Sequence, residues 1–102
     1  MTIEEIIEHL EREWDFESGF FGRLRRGHFD PACYDRLIRA LDRIETPQTV
    51  ALNRRMVSLL WYMPIFMHWQ QERVQSNGAD LIAFERAINH VQGSIERILG
   101  VP

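Results

Sequence analysis

Apolar residues recur along this chain at intervals of three and four, and each run is bounded by capping residues, glycine or proline. In the first run Ile3, Ile6, Ile7, Leu10 and Trp14 share one face, with glutamates opposite. Thr2 and Glu5 form a capping box, so a helix is predicted over residues 3–14. Asp30-Pro31 pairs an N-cap with a proline at the first helical position. It predicts a second helix over 31–44, with Tyr34, Leu37, Ile38, Leu41 and Ile44 as its stripe. Thr46-Pro47 repeats that signal and starts a third helix, which continues through Val50, Val57 and Leu60 into the segment Trp61–Trp69. Pro64 has no N–H for the carbonyl of Leu60 and clashes with it, so this helix is expected to kink or restart nearby. The run Leu59–Met67 is apolar on every side, which implies a central helix buried all round. Asp80 caps a fourth helix carrying Leu81, Phe84, Ile88, Val91, Ile95 and Ile98, and Gly93 within it implies close approach by another helix. No strand pattern of useful length appears. The expected fold is all-α and a single domain over residues 1–102: a four-helix bundle with a long, Pro-kinked third helix and a Gly/aromatic-rich junction after the first.

That junction, Trp14 to Pro31, is where the periodicity fails. It places five aromatic residues, three glycines and three arginines in eighteen positions. Ser18-Gly19 breaks the first helix, and residues 20–26 have room for one or two short turns ending at Gly27. Two readings follow. Trp14, Phe16, Phe20, Phe21 and Phe29 plug the open end of the bundle, with Arg25 or Arg26 paired to the first helix, or the segment is a recognition surface.

Composition narrows the class. At 102 residues and 45% hydrophobic the chain can bury one modest core. It has no apolar stretch long enough for a membrane span. Its acidic N-terminus is unlike a signal peptide and it has one cysteine, Cys33, so a cytoplasmic protein without disulfides is expected. All twelve cationic residues are arginine, which most simply reflects a GC-rich genome. Charge is segregated: residues 1–17 hold seven acids and one arginine, −6, and the rest holds eight acids and eleven arginines, +3. The first helix is therefore either a solvated face or an acidic surface for a basic partner.

The chemistry-bearing patterns of helical bundles are missing. A carboxylate-bridged metal site needs Glu-x-x-His pairs, but Ile6, Arg25, Ile65 and Ala87 stand three residues before the four histidines. The pairs Glu5/His9, His9/Glu13 and His68/Glu72 are isolated, and no metal or cofactor is expected. Cys33 lies in a first helical turn, where a lowered pKa is conceivable, but reads better as a small half-buried residue. Gly19, Gly22 and Gly27 do not make a phosphate loop, because Phe20 and Phe21 occupy positions that need small residues. An enzyme is not expected. Arg23, Arg25, Arg26 and His28 interleaved with phenylalanines resemble a single-strand stacking surface, but a net charge of −3 opposes nucleic acid.

Trp61, Tyr62, Met63, Phe66, Met67 and Trp69 read first as core. The other reading leaves one face open as a hydrophobic groove or homodimer seam.

Trp14…Ser18-Gly19-Phe20-Phe21-Gly22-Arg23-Leu24-Arg25…Gly27…Phe29-Asp30, followed by a tyrosine-leucine helix, resembles small all-helical bacterial immunity proteins encoded beside secreted toxins. The resemblance covers about the first 40 residues. It implies a cytoplasmic inhibitor that binds a toxin domain and catalyses nothing. It identifies no binding residues. On charge and composition alone, Glu4, Glu8, Glu11 and Asp15 are candidates to steer a basic protein partner, with Phe20, Phe21, Arg23, Arg25 and Arg26 as candidate anchors. A nucleic-acid-binding regulator is the alternative.

Overall fold

A computed structural model describes residues 1–47 and 51–102. Among them the chain is all-helical: α1 (Ile3–Trp14), α2 (Phe20–Arg25), α3 (Pro31–Asp42), α4 (Arg54–Trp61), α5 (Met63–Trp69), α6 (Gln71–Ser76) and α7 (Leu81–Leu99). One core, including Leu10, Phe20, Phe21, Leu37, Leu60, Met67, Phe84 and Val91, is shared by all of these elements. Each such side chain contributes roughly 1.5–3 kcal/mol through removal from water.

Three helix starts fall where their caps put them. Thr2 Oγ1 accepts from Glu5 N–H at 3.2 Å, Asp30 Oδ1 accepts from Ala32 and Cys33, and Asp80 Oδ1 accepts from Ile82 and Ala83. These bonds satisfy first-turn donors that have no partner within the helix. Along α7, Phe84, Ile88, Val91, Ile95 and Ile98 are buried as the spacing required. Gly93 is different: a Cβ built there meets nothing within 4 Å, so no helix approaches closely and only the propensity cost remains.

The third helix departs most from expectation. Thr46 and Pro47 do not start it; helix begins at Arg54, capped by Asn53, whose Oδ1 accepts from Met56 N–H at 3.1 Å. Val50, expected within it, lies outside the described residues. Thr46 instead donates its hydroxyl to the carbonyl of Ile98 at 2.6 Å, closing the end of α7. Arg97 returns the favour to α3, donating to the carbonyls of Leu41 and Ile44 at 2.8 Å each. A tertiary partner thus overrides a local N-cap signal, because last-turn carbonyls need donors as much as first-turn amides need acceptors. Beyond Arg54 the expected single helix is divided into α4, α5 and α6. Tyr62 separates α4 from α5 with φ −83° and ψ −15°, and Pro64 falls in the first turn of α5. Tyr62 is close enough to helical that side chains keep nearly their four-residue register across the break.

Candidate interaction surface

The junction after α1 is organised by a carboxylate. Glu13, only 2% exposed, points inward from α1 and accepts from Arg36 Nε at 2.8 Å, Arg36 Nη2 at 2.9 Å and the backbone N–H of Phe20 at 3.2 Å. Arg36 also donates to the Ser18 carbonyl at 3.0 Å. One ion pair therefore joins α1, the first turn of α2 and α3. Donation to the Glu13 carboxylate raises the Arg36 pKa further above its already high value. Periodicity placed the α1 glutamates on a solvated face, and Glu13 departs from it. A glutamate one residue before the stripe member Trp14 was the available signal.

Glycines let the backbones meet. A Cβ on Gly22 would lie 1.9 Å from the Asp15 carbonyl oxygen and 2.6 Å from Phe16 backbone atoms, so α2 can sit against the end of α1 only with glycine there. Asp15 Oδ2 accepts from Ser18 N–H, Ser18 Oγ and Glu17 N–H at 2.8–3.2 Å, closing the turn between the two helices. These bonds, led by the Ser18 amide, hold its carboxyl below the usual aspartate value.

Phe20 and Phe21 are wholly buried. Phe21 stacks on Trp14 at 4.3 Å between centroids, and Phe20 meets Tyr34 and Phe29 at 5.7 and 6.2 Å. These phenylalanines are not surface anchors; they fill the bundle end because burial of two aromatic rings outweighs any local tendency of this loop to be exposed. The arginines divide. Arg23 is bound to Asp30. Arg26 lies over Phe16 at 5.3 Å and donates to the Glu17 carbonyl at 3.0 Å. Arg25 is exposed, with its guanidinium 5.2 Å from the centroid of Phe66. Neither Arg25 nor Arg26 pairs with a carboxylate of α1; Arg36 and Arg55 do, the latter with Glu11 at 3.0 Å. Glu4, Glu8 and Asp15 are exposed along α1.

The open aromatic surface lies instead on α4 and α5. Met63, Phe66 and Met67 are buried, but Trp61 is 51% exposed, Ile65 37% and Trp69 68%. The expectation of a helix buried all round fails on this side. With half-buried Val57, these residues form a stripe of four-residue steps. Tyr62 lies between the tryptophans, 5.3 Å from Trp61 and 5.7 Å from Trp69. Beside the stripe Trp14 donates its indole N–H to the Leu59 carbonyl at 3.0 Å, a last-turn acceptor of α4. A shallow groove of about 500 Å³ runs there, walled by Trp14, Leu59, Trp61 and Tyr62 and edged by Arg25, Arg55 and Ser58.

Among the described residues reactive groups do not converge. Burial pushes the Cys33 thiol up, against any lowering by its helix, and its Sγ faces the Ser18 carbonyl at 3.9 Å. Glu13 is committed to Arg36, away from the His9 pairing the spacing allowed. Among the described residues no three His, Cys, Asp or Glu side chains gather as a metal site, and no helix is long and apolar enough to cross a membrane. No protein-family model, curated protein or solved structure matches this chain.

Proposed function

We propose that this chain is a non-catalytic protein-binding module whose docking face is the Trp61–Ile65–Trp69 stripe of α4 and α5. The carrying observation is that two tryptophans stand more than half exposed on one helical stripe, side by side with Tyr62, whereas Phe16, the other ring exposed to that degree, stands alone under the Arg26 guanidinium. Tryptophan, tyrosine and arginine are the residues that dominate interface centres, and contiguous exposed apolar area of this kind marks binding sites. A tryptophan left in water forgoes about 1.5–3 kcal/mol of burial that a partner can recover.

Within that class, the reading is an immunity-type inhibitor of a bacterial toxin domain, acting in the cytoplasm. It is supported by the resemblance of residues 14–40 and by the lack of a catalytic constellation. Since Phe20 and Phe21 are buried, those rings act as scaffold, and the resembling segment reaches the docking face only at its edge, through Trp14 and Arg25. The test is affinity capture from the native cell with the wild-type chain and a Trp61→Ala/Trp69→Ala variant. A protein retained by the first and lost by the second, and whose toxic activity the chain blocks at one-to-one ratio, is the expected result. Recovery of nucleic acid with no protein partner refutes the reading.

A further inference from the structure

We infer that the partner presents an acidic segment to this face: an aliphatic side chain flanked by aspartate or glutamate. The inference rests on the proposed docking role and adds the chemistry of the occupant. Besides Trp14 of α1, the face is built by α2 and α4–α6, which carry Arg23, Arg25, Arg54, Arg55 and Arg73 against the single acid Glu72, a balance of +4 in a chain of net charge −3, with Arg26 capping the end of α2. Arg23 and Arg55 are matched by Asp30 and Glu11. Arg25, Arg26, Arg54 and Arg73 have no carboxylate within ion-pair distance among the described residues.

Two of these arginines are positioned at the stripe. Arg73 donates to the backbone carbonyl of Arg25, which draws α6 against the end of α2. The Arg25 guanidinium stays near Phe66 and lines the groove together with Arg55. A guanidinium facing a ring makes no hydrogen bond to it, so its donors stay available for a carboxylate, and the fork geometry suits bidentate contact. An aliphatic residue seated in the groove against Trp61 and Tyr62 would bring flanking carboxylates to its rim. The acidic α1 does not cancel this. Glu11 is spent on Arg55 and Asp15 on the Ser18 and Glu17 amides. Exposed Glu8 and Glu4 lie six and ten residues before the groove residue Trp14. That is about 9 and 15 Å along the helix at 1.5 Å per residue, roughly one Debye length or more at physiological salt.

The experiment uses the full chain and two synthetic amphipathic helical peptides with the same leucine face, one flanked by glutamates and one by lysines. Binding is followed through the protein's own tryptophan fluorescence. At about 50 mM salt the glutamate peptide should bind at least ~10-fold more tightly, and raising salt to about 300 mM should bring the two toward equality. Arg25→Gln/Arg73→Gln should reduce the preference several-fold, while Trp61→Ala/Trp69→Ala should remove binding of both; circular dichroism checks that each variant folds. Equal or tighter binding of the lysine peptide overturns the acidic occupant and leaves the docking face standing. Saturation by neither peptide at about 1 mM, a weak limit of roughly −4 kcal/mol, overturns both. A dimer of the chain alone that disappears in the tryptophan variant makes the occupant a second copy and also overturns the inference.

Discussion

The two aromatic-rich regions of this protein use the same residue types to opposite ends. In residues 14–31 four of the five rings pack inward, Phe16 staying out under Arg26, and Glu13, Asp15 and Asp30 satisfy the backbone donors that a broken helix exposes. In residues 57–69 a regular helical register carries a ring stripe outward, with Trp61 and Trp69 more than half exposed. Irregular sequence produced the closed structure, and regular sequence produced the open one. An anomalous motif is therefore a poor guide to a binding face when its anomalies serve chain geometry, as Gly22 does by admitting Asp15 and Phe16 at contact.

The comparison can be broken most forcefully by truncating one ring from each region. Phe21→Ala removes a fully buried ring stacked on Trp14 and should cost about 3–5 kcal/mol of unfolding free energy, read as a lower urea midpoint. A cost under about 1 kcal/mol would mean that the junction is not part of the core. Glu13→Ala comes next. It strands Arg36 and the Phe20 amide, and a loss of about 3 kcal/mol is expected, with Glu13→Gln milder because one acceptor survives.

Acid titration sharpens the contrast by a smaller margin. The Cys33 amide, assisted by Ala32 and the Arg23 charge, holds the Asp30 carboxyl below its ordinary value. Its folded pKa is depressed, so the stabilisation is complete above the unfolded value near 3.9 and is lost as pH falls through the folded one. Wild-type stability should fall as pH drops below ~4, and Asp30→Asn should flatten that limb while keeping a cap. Trp69→Ala should move stability least, within about 0.5 kcal/mol by chemical denaturation, because its ring is already in water. A larger loss would show that the stripe stabilises the fold on its own and would weaken it as a docking face.

Much of the fold was legible in residue order. The spans of α1, α3 and α7 follow from Thr2, Asp30-Pro31 and Asp80 with their apolar spacing, because caps and periodicity act within a few residues of each other. Thr46-Pro47 misled for the converse reason: its hydroxyl found a carbonyl 52 residues away. The candidate residues sorted similarly. Glu4, Glu8 and Asp15 are exposed as their spacing implied. Phe20 and Phe21 carry no local mark that tells a buried plug from an exposed anchor.

By itself the order of residues determined that this is a helical chain, where three of its helices start, and that an acidic first helix precedes an arginine-rich remainder. Those properties depend on neighbours within a turn or two. Tertiary structure decided that Glu13 turns inward, that α4 and α5 break at Tyr62 with Trp61 and Trp69 facing out, and that Arg25 rather than Arg23 reaches the groove. Which side of an all-apolar helix meets water depends on how many neighbours arrive to cover it. In this chain α1 and α7 pack against α4 and α5 and leave one stripe bare.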